Sequence, residues 1–167
     1  MKEGLKKSHV HKRHSFLQVE MEIETKKFQE LTTAQLYDIL QLRNEVFVVE
    51  QDCVYQDLDG KDHKALHVIG YKDNKLVAYT RIFKSGDYFE QASIGRVVVK
   101  ESERKFGYGV DIMKASIAAI ENYFKENSIH ISAQCYLIKF YNSLGFKEVG
   151  KEYLEDGIPH IGMLKHK

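Results

Sequence analysis

The sequence predicts a mixed α/β domain, one sheet with helices packed on it. Three observations carry that expectation. Strand-like and helix-like segments alternate in the order βαββ–β–α–β–α–ββ, which buries a sheet beneath helices. Lys72-Asp73-Asn74 and Asp156-Gly157 each separate two apolar stretches, as hairpin turns do. The chain has 167 residues, 43% hydrophobic and 29% charged. That suffices for one core, and no repeat or linker divides residues 22–167.

The elements follow in order. "IETKKFQEL" (23–31) reads as a short strand. Thr32 and Thr33 offer N-caps to a helix through "AQLYDILQLRNEVFVVEQ" (34–51). Leu36, Leu40 and Phe47, with Ile39 and Val46 beside them, form its apolar face. An irregular acidic stretch, "DCVYQDLDGKDHK", leads to two strands, "ALHVIGY" and "KLVAYTRIF". "ASIGRVVVK" (92–100) is the next strand, and its β-branched run suits a central position. Met113, Ile117, Ile120 and Phe124 mark one face of a long helix. "IHISAQ" is a short strand, "YLIKFYNSLGF" a short helix stopped by Gly145, and "KEVGKEYLEDGIPHIGML" a closing hairpin.

Charge and cysteine usage exclude several classes. Residues 1–20 hold five basic and two acidic side chains, a net of +3, so the other 147 residues carry −2 of the overall +1. A near-neutral body argues against a nucleic-acid-binding surface. The first 20 residues, with His9, His11 and His14 in "SHVHKRHS", are expected to be a disordered or non-native arm, with a metal tract as the alternative. Elsewhere no His or Cys pairs have ligand-like spacing, so no metal is expected. Two cysteines, no apolar signal segment and no membrane-length apolar run point to a cytoplasmic protein without a membrane partner. Cys135 follows a strand, but no nucleophile-elbow pattern surrounds it.

The informative stretch is "GRVVVKESERKFGYG" (95–109). Gly107 and Gly109 lie between a buried strand and the first turn of a helix. The first amides of a helix lack internal acceptors, and that end is electropositive, so phosphate is the natural ligand. Arg104 and Lys105 add charge beside it. A nucleotide P-loop is excluded because Val110-Asp111 replaces its Lys-Ser/Thr, and a dinucleotide fingerprint because Ile112 replaces its third glycine. A tight strand-to-helix connection with incidental charges is the other reading of these glycines.

The remaining pattern, Arg104-x-x-Gly107-x-Gly109 after a β-branched strand, resembles the acyl-CoA pyrophosphate loop of the GNAT N-acetyltransferases. A second signature of that family, F-Y-x-x-x-G-F, stands at Phe140-Tyr141-Asn142-Ser143-Leu144-Gly145-Phe146, in the expected order. "RNEVFVVEQDCVYQDLDGKD", "IGRVVV" and "EDGIPHIGM" look like the ElaA-like branch. The resemblance covers residues 22–167 as a single domain. It implies a GNAT fold: a mixed, mostly antiparallel sheet of six to seven strands flanked by about four helices. It also implies acetyl-CoA as cofactor, with CoA as product, and a primary amine of a small molecule or peptide as acceptor. A non-catalytic acyl-CoA sensor or scaffold is the alternative, and a monomer or homodimer is expected.

The resemblance further assigns roles. Val97, Val98 and Val99 would run along the pantetheine arm, their amides polarising the acetyl oxygen. Arg104, Lys105, Phe106, Gly107, Tyr108 and Gly109 would hold the pyrophosphate. Tyr141 would be the general acid on the leaving sulfur, although Leu137, Tyr141 and Leu144 also read as one packing stripe. Phe140 and Phe146 read as core. Glu50 is the first candidate for general base or amine anchor, and His160 the second, as an imidazole suited to proton transfer near neutral pH. Gln51, His67, Arg96 and Gln134 are candidates for the acceptor side. Arg96, a charge in an apolar strand, needs a partner such as Glu50 or an acidic group of the acceptor. Asp52, Asp57, Asp59 and Asp62 would attract a cationic amine or simply face solvent.

Overall fold

The computed structural model describes residues 20–166. The expected basic arm with His9, His11 and His14 lies outside the described residues, Glu20 apart. Elements follow the expected order: β1 (Glu22–Lys27), α1 (Thr33–Arg43), β2 (Leu66–Lys72), β3 (Lys75–Phe83), β4 (Ala92–Val99), α2 (Tyr108–Ala119), β5 (Ser128–Gln134), α3 (Ile138–Ser143), β6 (Lys147–Glu155) and β7 (Ile158–His166). A two-turn 3-10 helix, Glu101–Phe106, precedes α2. The seven strands form one sheet in the order β1-β2-β3-β4-β5-β7-β6, antiparallel except for β4 and β5.

Local chemistry sets the boundaries. The first strand ends at Lys27 rather than Leu31, because the Glu30 carboxylate accepts from the Lys27 amide at 2.7 Å and turns the chain. Thr32 is the cap of α1: its hydroxyl accepts from the Gln35 amide while the Gln35 side chain accepts from the Thr32 amide, both at 3.1 Å. Beyond Arg43 the helix widens into a π-type segment, Asn44–Glu50, with Gln51 bonding back five residues to Val46. The face of α1 that meets the sheet is Ile39, Leu42, Arg43 and Val46, while the expected Leu36, Leu40 and Phe47 are only half-buried flanks. At both hairpin turns, Asp73-Asn74 and Asp156-Gly157, φ is positive at both central residues, as a two-residue turn matching strand twist requires.

The sheet separates two cores. Ile39, Leu42 and Val46 pack on Ile69, Tyr79 and Val98 on one face. On the other, Ile112, Met113 and Ile120 of the α2 helix and its extension pack on Val68, Ile82, Ile94, Ile129 and Ile131. Strand alternation sends successive side chains to opposite layers, so the strand run "VVV" feeds both cores: Val98 joins the first, Val97 and Val99 the second.

Two irregularities open the sheet. Opposite Tyr79–Arg81, β4 carries one extra residue between Gly95 and Val98, and Arg96 within this bulge has φ 51°. β4 and β5 pair only at Ala92–Ile129 and Ser93–His130. Past those pairs the strands diverge, leaving the edge of β4 from Gly95 to Val99 without a strand on that side.

The irregular stretch 52–64 is pinned over the sheet by three arginines. Arg43, fully buried, bonds Asp57 and Asp62, each at 2.8 Å, and the Asp57 carbonyl at 3.2 Å. Arg81, 1% exposed, bonds Asp59 through both terminal nitrogens (2.8 and 2.7 Å) and Asp62 at 2.9 Å. Arg96 pairs with Asp57 at 2.6 Å and reaches its carbonyl at 3.0 Å. The partner of Arg96 is therefore Asp57, not the anticipated Glu50. Asp57, Asp59 and Asp62 are neither a solvated rim nor an attractor of cations, because each is neutralised by a guanidinium. His67 belongs to the same assembly rather than to an acceptor surface. It is fully buried, with one ring nitrogen 2.8 Å from the Tyr79 hydroxyl and the other 3.0 Å from the Asp62 carbonyl.

Burial opposes ionisation of Asp59 and Asp62, but the charges and hydrogen bonds of Arg81 and Arg43 outweigh it and hold both carboxyls below their ordinary value of 3.8. A carboxyl whose folded-state pKa is depressed stabilises the fold above its unfolded pKa and loses that contribution as pH falls. The stability of the protein is thus expected to be flat above about pH 5 and to fall steeply below about pH 4. Urea unfolding of wild type and the double variant Asp59→Asn, Asp62→Asn across that window should give a shallower acid slope for the variant. Arg81→Met, which leaves Asp59 with only the Arg96 guanidinium at 3.7 Å and Asp62 with Arg43 alone, should cost about 3 kcal/mol at neutral pH by the same measurement.

Candidate active site

The divergence of β4 and β5 forms a cleft of about 600 Å³, a volume typical of small-molecule sites. Its lining brings together most of the residues singled out in the sequence: Glu50 and Gln51, Arg96 to Val99, Arg104, Gly107 and Gly109, Gln134, Tyr141 and His160. Lys105, Phe106, Tyr108 and His67 are not part of that lining. Lys105 lies 5.2 Å over the Phe106 ring, with Lys72 on the same ring at 4.0 Å. Tyr108 is buried 5.7 Å from Phe106. These side chains shape the loop from behind.

The two glycines act differently. Gly107 has φ 81° and initiates α2, and no atom lies within 4 Å of where a Cβ would sit. A side chain there would strain the backbone and stand in the cleft. Gly109 sits between α3 and β4 without a steric need for glycine: an added Cβ would lie at ordinary contact distance, 3.5 Å from Phe140 and 3.9 Å from Val99. The first turn of α2 is wedged between β4 and α3, with its amide end toward the cleft. This cradle fits a diphosphate, and the unpaired edge of β4 offers amides to an extended amide-bearing arm. Arg104 ties the cradle together: it grips both oxygens of Glu50 at 2.6 and 2.8 Å and donates to the Val99 carbonyl at 3.1 Å.

Tyr141 is 6% exposed at the cleft wall, with Phe140 and Phe146 edge-on at 5.1 and 6.2 Å. Burial, helped by nearby Tyr136, drives its phenol well above the ordinary value of 10, so it is protonated throughout the neutral range. The packing-stripe reading and the acid reading are compatible, since the ring belongs to the core while the residue borders the cleft. Glu50 is committed to Arg104. His160, 9% exposed, donates from Nδ1 to the Ile158 carbonyl at 2.8 Å. A carbonyl can only accept, so in the neutral ring the lone pair sits on Nε2. Across the cleft Gln134 donates to Gln51 at 3.3 Å, bridging the end of β5 to the end of the first helix. Cys135 is no candidate nucleophile, because burial and nearby Glu152 raise its thiol and disfavour the thiolate.

Several lining residues escaped sequence reasoning. Phe83, Tyr88 and Phe89 form an aromatic wall: Phe83 stacks on Tyr88 at 5.3 Å, and Phe89 meets Tyr88 edge-on at 4.7 Å. Ser132 joins the hairpin, donating to Glu155 at 2.9 Å and bonding the Tyr153 hydroxyl. Arg43 and Arg81 were legible by the argument applied to Arg96, a charge among apolar neighbours. Glu155 had a weaker signal, its place beside the Asp156-Gly157 turn.

Comparison with known proteins agrees with this geometry. A family model described as an acetyltransferase (GNAT) domain matches residues 22–167. The chain is 46% identical over 138 residues to Protein ElaA of Escherichia coli, covering 81% of this chain and 90% of that protein. The crystal structure of Escherichia coli ElaA superposes with a TM-score of 0.82 at 42% identity, covering 88% of this chain and 100% of that one. An acyl-CoA N-acyltransferase from Pseudomonas aeruginosa superposes with a TM-score of 0.81 at 40% identity, covering 86% and 99%. Among the described residues no helix is long and apolar enough to cross a membrane. With a split sheet, a helix-capped cradle and a match along almost the whole described chain, the protein belongs to the GNAT family of N-acetyltransferases, in its ElaA-like branch, and is an acyl-CoA-dependent acyltransferase.

Proposed function

We propose that this enzyme acetylates a primary amine of a small molecule or peptide, by direct attack within a ternary complex. The observation that carries the reading is the unpaired edge of β4, which shares one cleft with the α2 N-terminus and Tyr141. Acetyl-CoA supplies a thioester whose carbonyl carbon the neutral amine attacks, the C–S bond breaking as the new C–N bond persists.

The chain's own groups do the rest. Amides of the Gly107–Gly109 turn hold the diphosphate, aided by the positive end of α2. Amides on the open edge of β4, those of Val97 and Val99, bind the extended arm and stabilise negative charge on the carbonyl oxygen, each such donor contributing about 3 kcal/mol to barrier lowering. The Val98 amide faces β3, as does that of Lys100, which donates to the Val77 carbonyl. Lys105, Phe106 and Tyr108 support this cradle from behind, and Arg104 with Glu50 fixes its distance from the first helix. Tyr141 donates its phenolic proton to the departing sulfur. His160 Nε2 takes the proton lost by the amine, directly or through water, while Gln51, Gln134 and Arg96 with its carboxylate shape the acceptor side.

Acetyl-CoA at millimolar concentration should raise Tm, by about 2.7 kcal/mol of stabilisation if that concentration is a hundredfold above Kd. No shift would count against the cofactor. Gly107→Val should abolish the shift while the apo protein remains folded. Tyr141→Phe should lower kcat by about 10²–10⁴ with the KM for acetyl-CoA unchanged, and wild-type turnover would remove Tyr141 from the mechanism. Because burial raises the Tyr141 phenol above its ordinary 10, kcat should hold steady between about pH 8 and 10, rather than decline as an unperturbed phenol begins to ionise.

A further inference from the structure

Charge accounting around the cleft singles out one end of it. Each arginine of the lining is already matched: Arg81 to Asp59 and Asp62, Arg96 to Asp57, Arg104 to Glu50. Of the lining carboxylates, Glu50 is matched too. Glu155 and Asp156 have no basic partner among the described residues, and Glu155 is held only by the neutral Ser132 hydroxyl. Within the cleft lining the uncompensated negative charge therefore resides at the β6–β7 turn, next to His160, and not on Asp57, Asp59 or Asp62.

The opposite end is apolar and incompletely hydrogen-bonded. Strand register puts Arg81 opposite Gly95 and Phe83 opposite Ser93, so all four point to the face that carries the aromatic wall. Gly95 leaves its position open, no atom lying within 4 Å of a would-be Cβ. Ser93, 2% exposed, and Arg81, 1% exposed, each line the cleft with a buried polar atom, Oγ and Nε, that has no hydrogen-bond partner among the described residues. Buried polar groups are normally satisfied, and both residues belong to the cleft lining.

Resting on the amine-acetylating reading above, we infer that the acceptor is an aromatic primary amine carrying a polar ring substituent. Its ammonium is collected by Glu155, its ring lies along Phe83, Tyr88 and Phe89, and its substituent bonds Ser93 Oγ and Arg81 Nε. The carboxylate gathers the charged form from solvent, and the nitrogen becomes nucleophilic when its proton passes to His160 Nε2. Asp156, more exposed at the turn, strengthens the attraction without touching the ligand.

The test uses the full chain and three probe amines: tyramine, phenethylamine and butylamine. With acetyl-CoA, thiol release should give kcat/KM in the order tyramine, phenethylamine, butylamine, with tyramine at least about tenfold above butylamine. Equal values or an inverted order would overturn the inference. Calorimetric binding of tyramine to the CoA-loaded protein needs no turnover and separates the two readings. Glu155→Gln should weaken tyramine about tenfold or more at unchanged CoA affinity, which also reports that the variant is folded. Ser93→Ala should reduce tyramine to the affinity of phenethylamine. Unchanged tyramine affinity in Glu155→Gln, or no binding to wild type, would sink the proposal. Tyramine bound in this way but never acetylated would instead remove the acetyl-transfer reading and leave the recognition site standing.

Discussion

Three guanidinium groups and three carboxylates, meeting beneath one loop, are the constraint on which this site depends. Arg43 comes from α1, Arg81 from β3 and Arg96 from β4, whereas Asp57, Asp59 and Asp62 all come from the irregular 52–64 segment. A loop of that length with little regular structure has few backbone partners of its own. Bridging ion pairs give it a fixed position, with the Asp57 carbonyl taking bonds from two of the arginines. Buried pairs of this kind add little net stability compared with apolar packing, yet losing one partner is costly. Their effect here is positional: they hold the first helix, the centre of the sheet and the loop as one unit at the rim of the cleft.

The bulge in β4 and the network support each other. An extra residue between Gly95 and Val98 turns Arg96 toward the loop, and the Asp57 carboxylate holds it there despite its positive φ. The same bulge lies in the part of β4 that has already parted from β5. A sheet interior normally satisfies every backbone group, and here one edge is left for a ligand to satisfy. The cleft is thus a consequence of strand geometry, with side chains refining what the backbone opens.

Electrostatics were redistributed by folding. The sequence placed its acidic character in the stretch after the first helix, and a reading of charge along the chain made that stretch the attractor of cations. In three dimensions Asp57, Asp59 and Asp62 are matched by guanidinium groups while Asp52 is exposed outside the cleft lining, and the cleft's uncompensated carboxylates among the described residues are Glu155 and Asp156, about a hundred residues further on. A loop carbonyl from this turn, that of Asp156, accepts from Cys53 at 3.4 Å, so the two acidic regions are also neighbours.

Sequence by itself determined the element order, both hairpin turns, the glycine loop at the start of α2 and the Phe140–Phe146 motif, because each is written in local periodicity, dihedral preference or spacing. It also gathered most of the cleft residues, from Val97 through His160, once the family pattern was recognised. Tertiary structure decided what local pattern cannot encode. It chose Asp57 over Glu50 as the partner of Arg96, took His67 into the core assembly and brought the Phe83–Tyr88–Phe89 wall to the site. Pairing between distant charges and the burial of a given side chain depend on contacts between elements far apart in the chain. Only the closed sheet and its packed loops bring those groups within a few ångströms of one another.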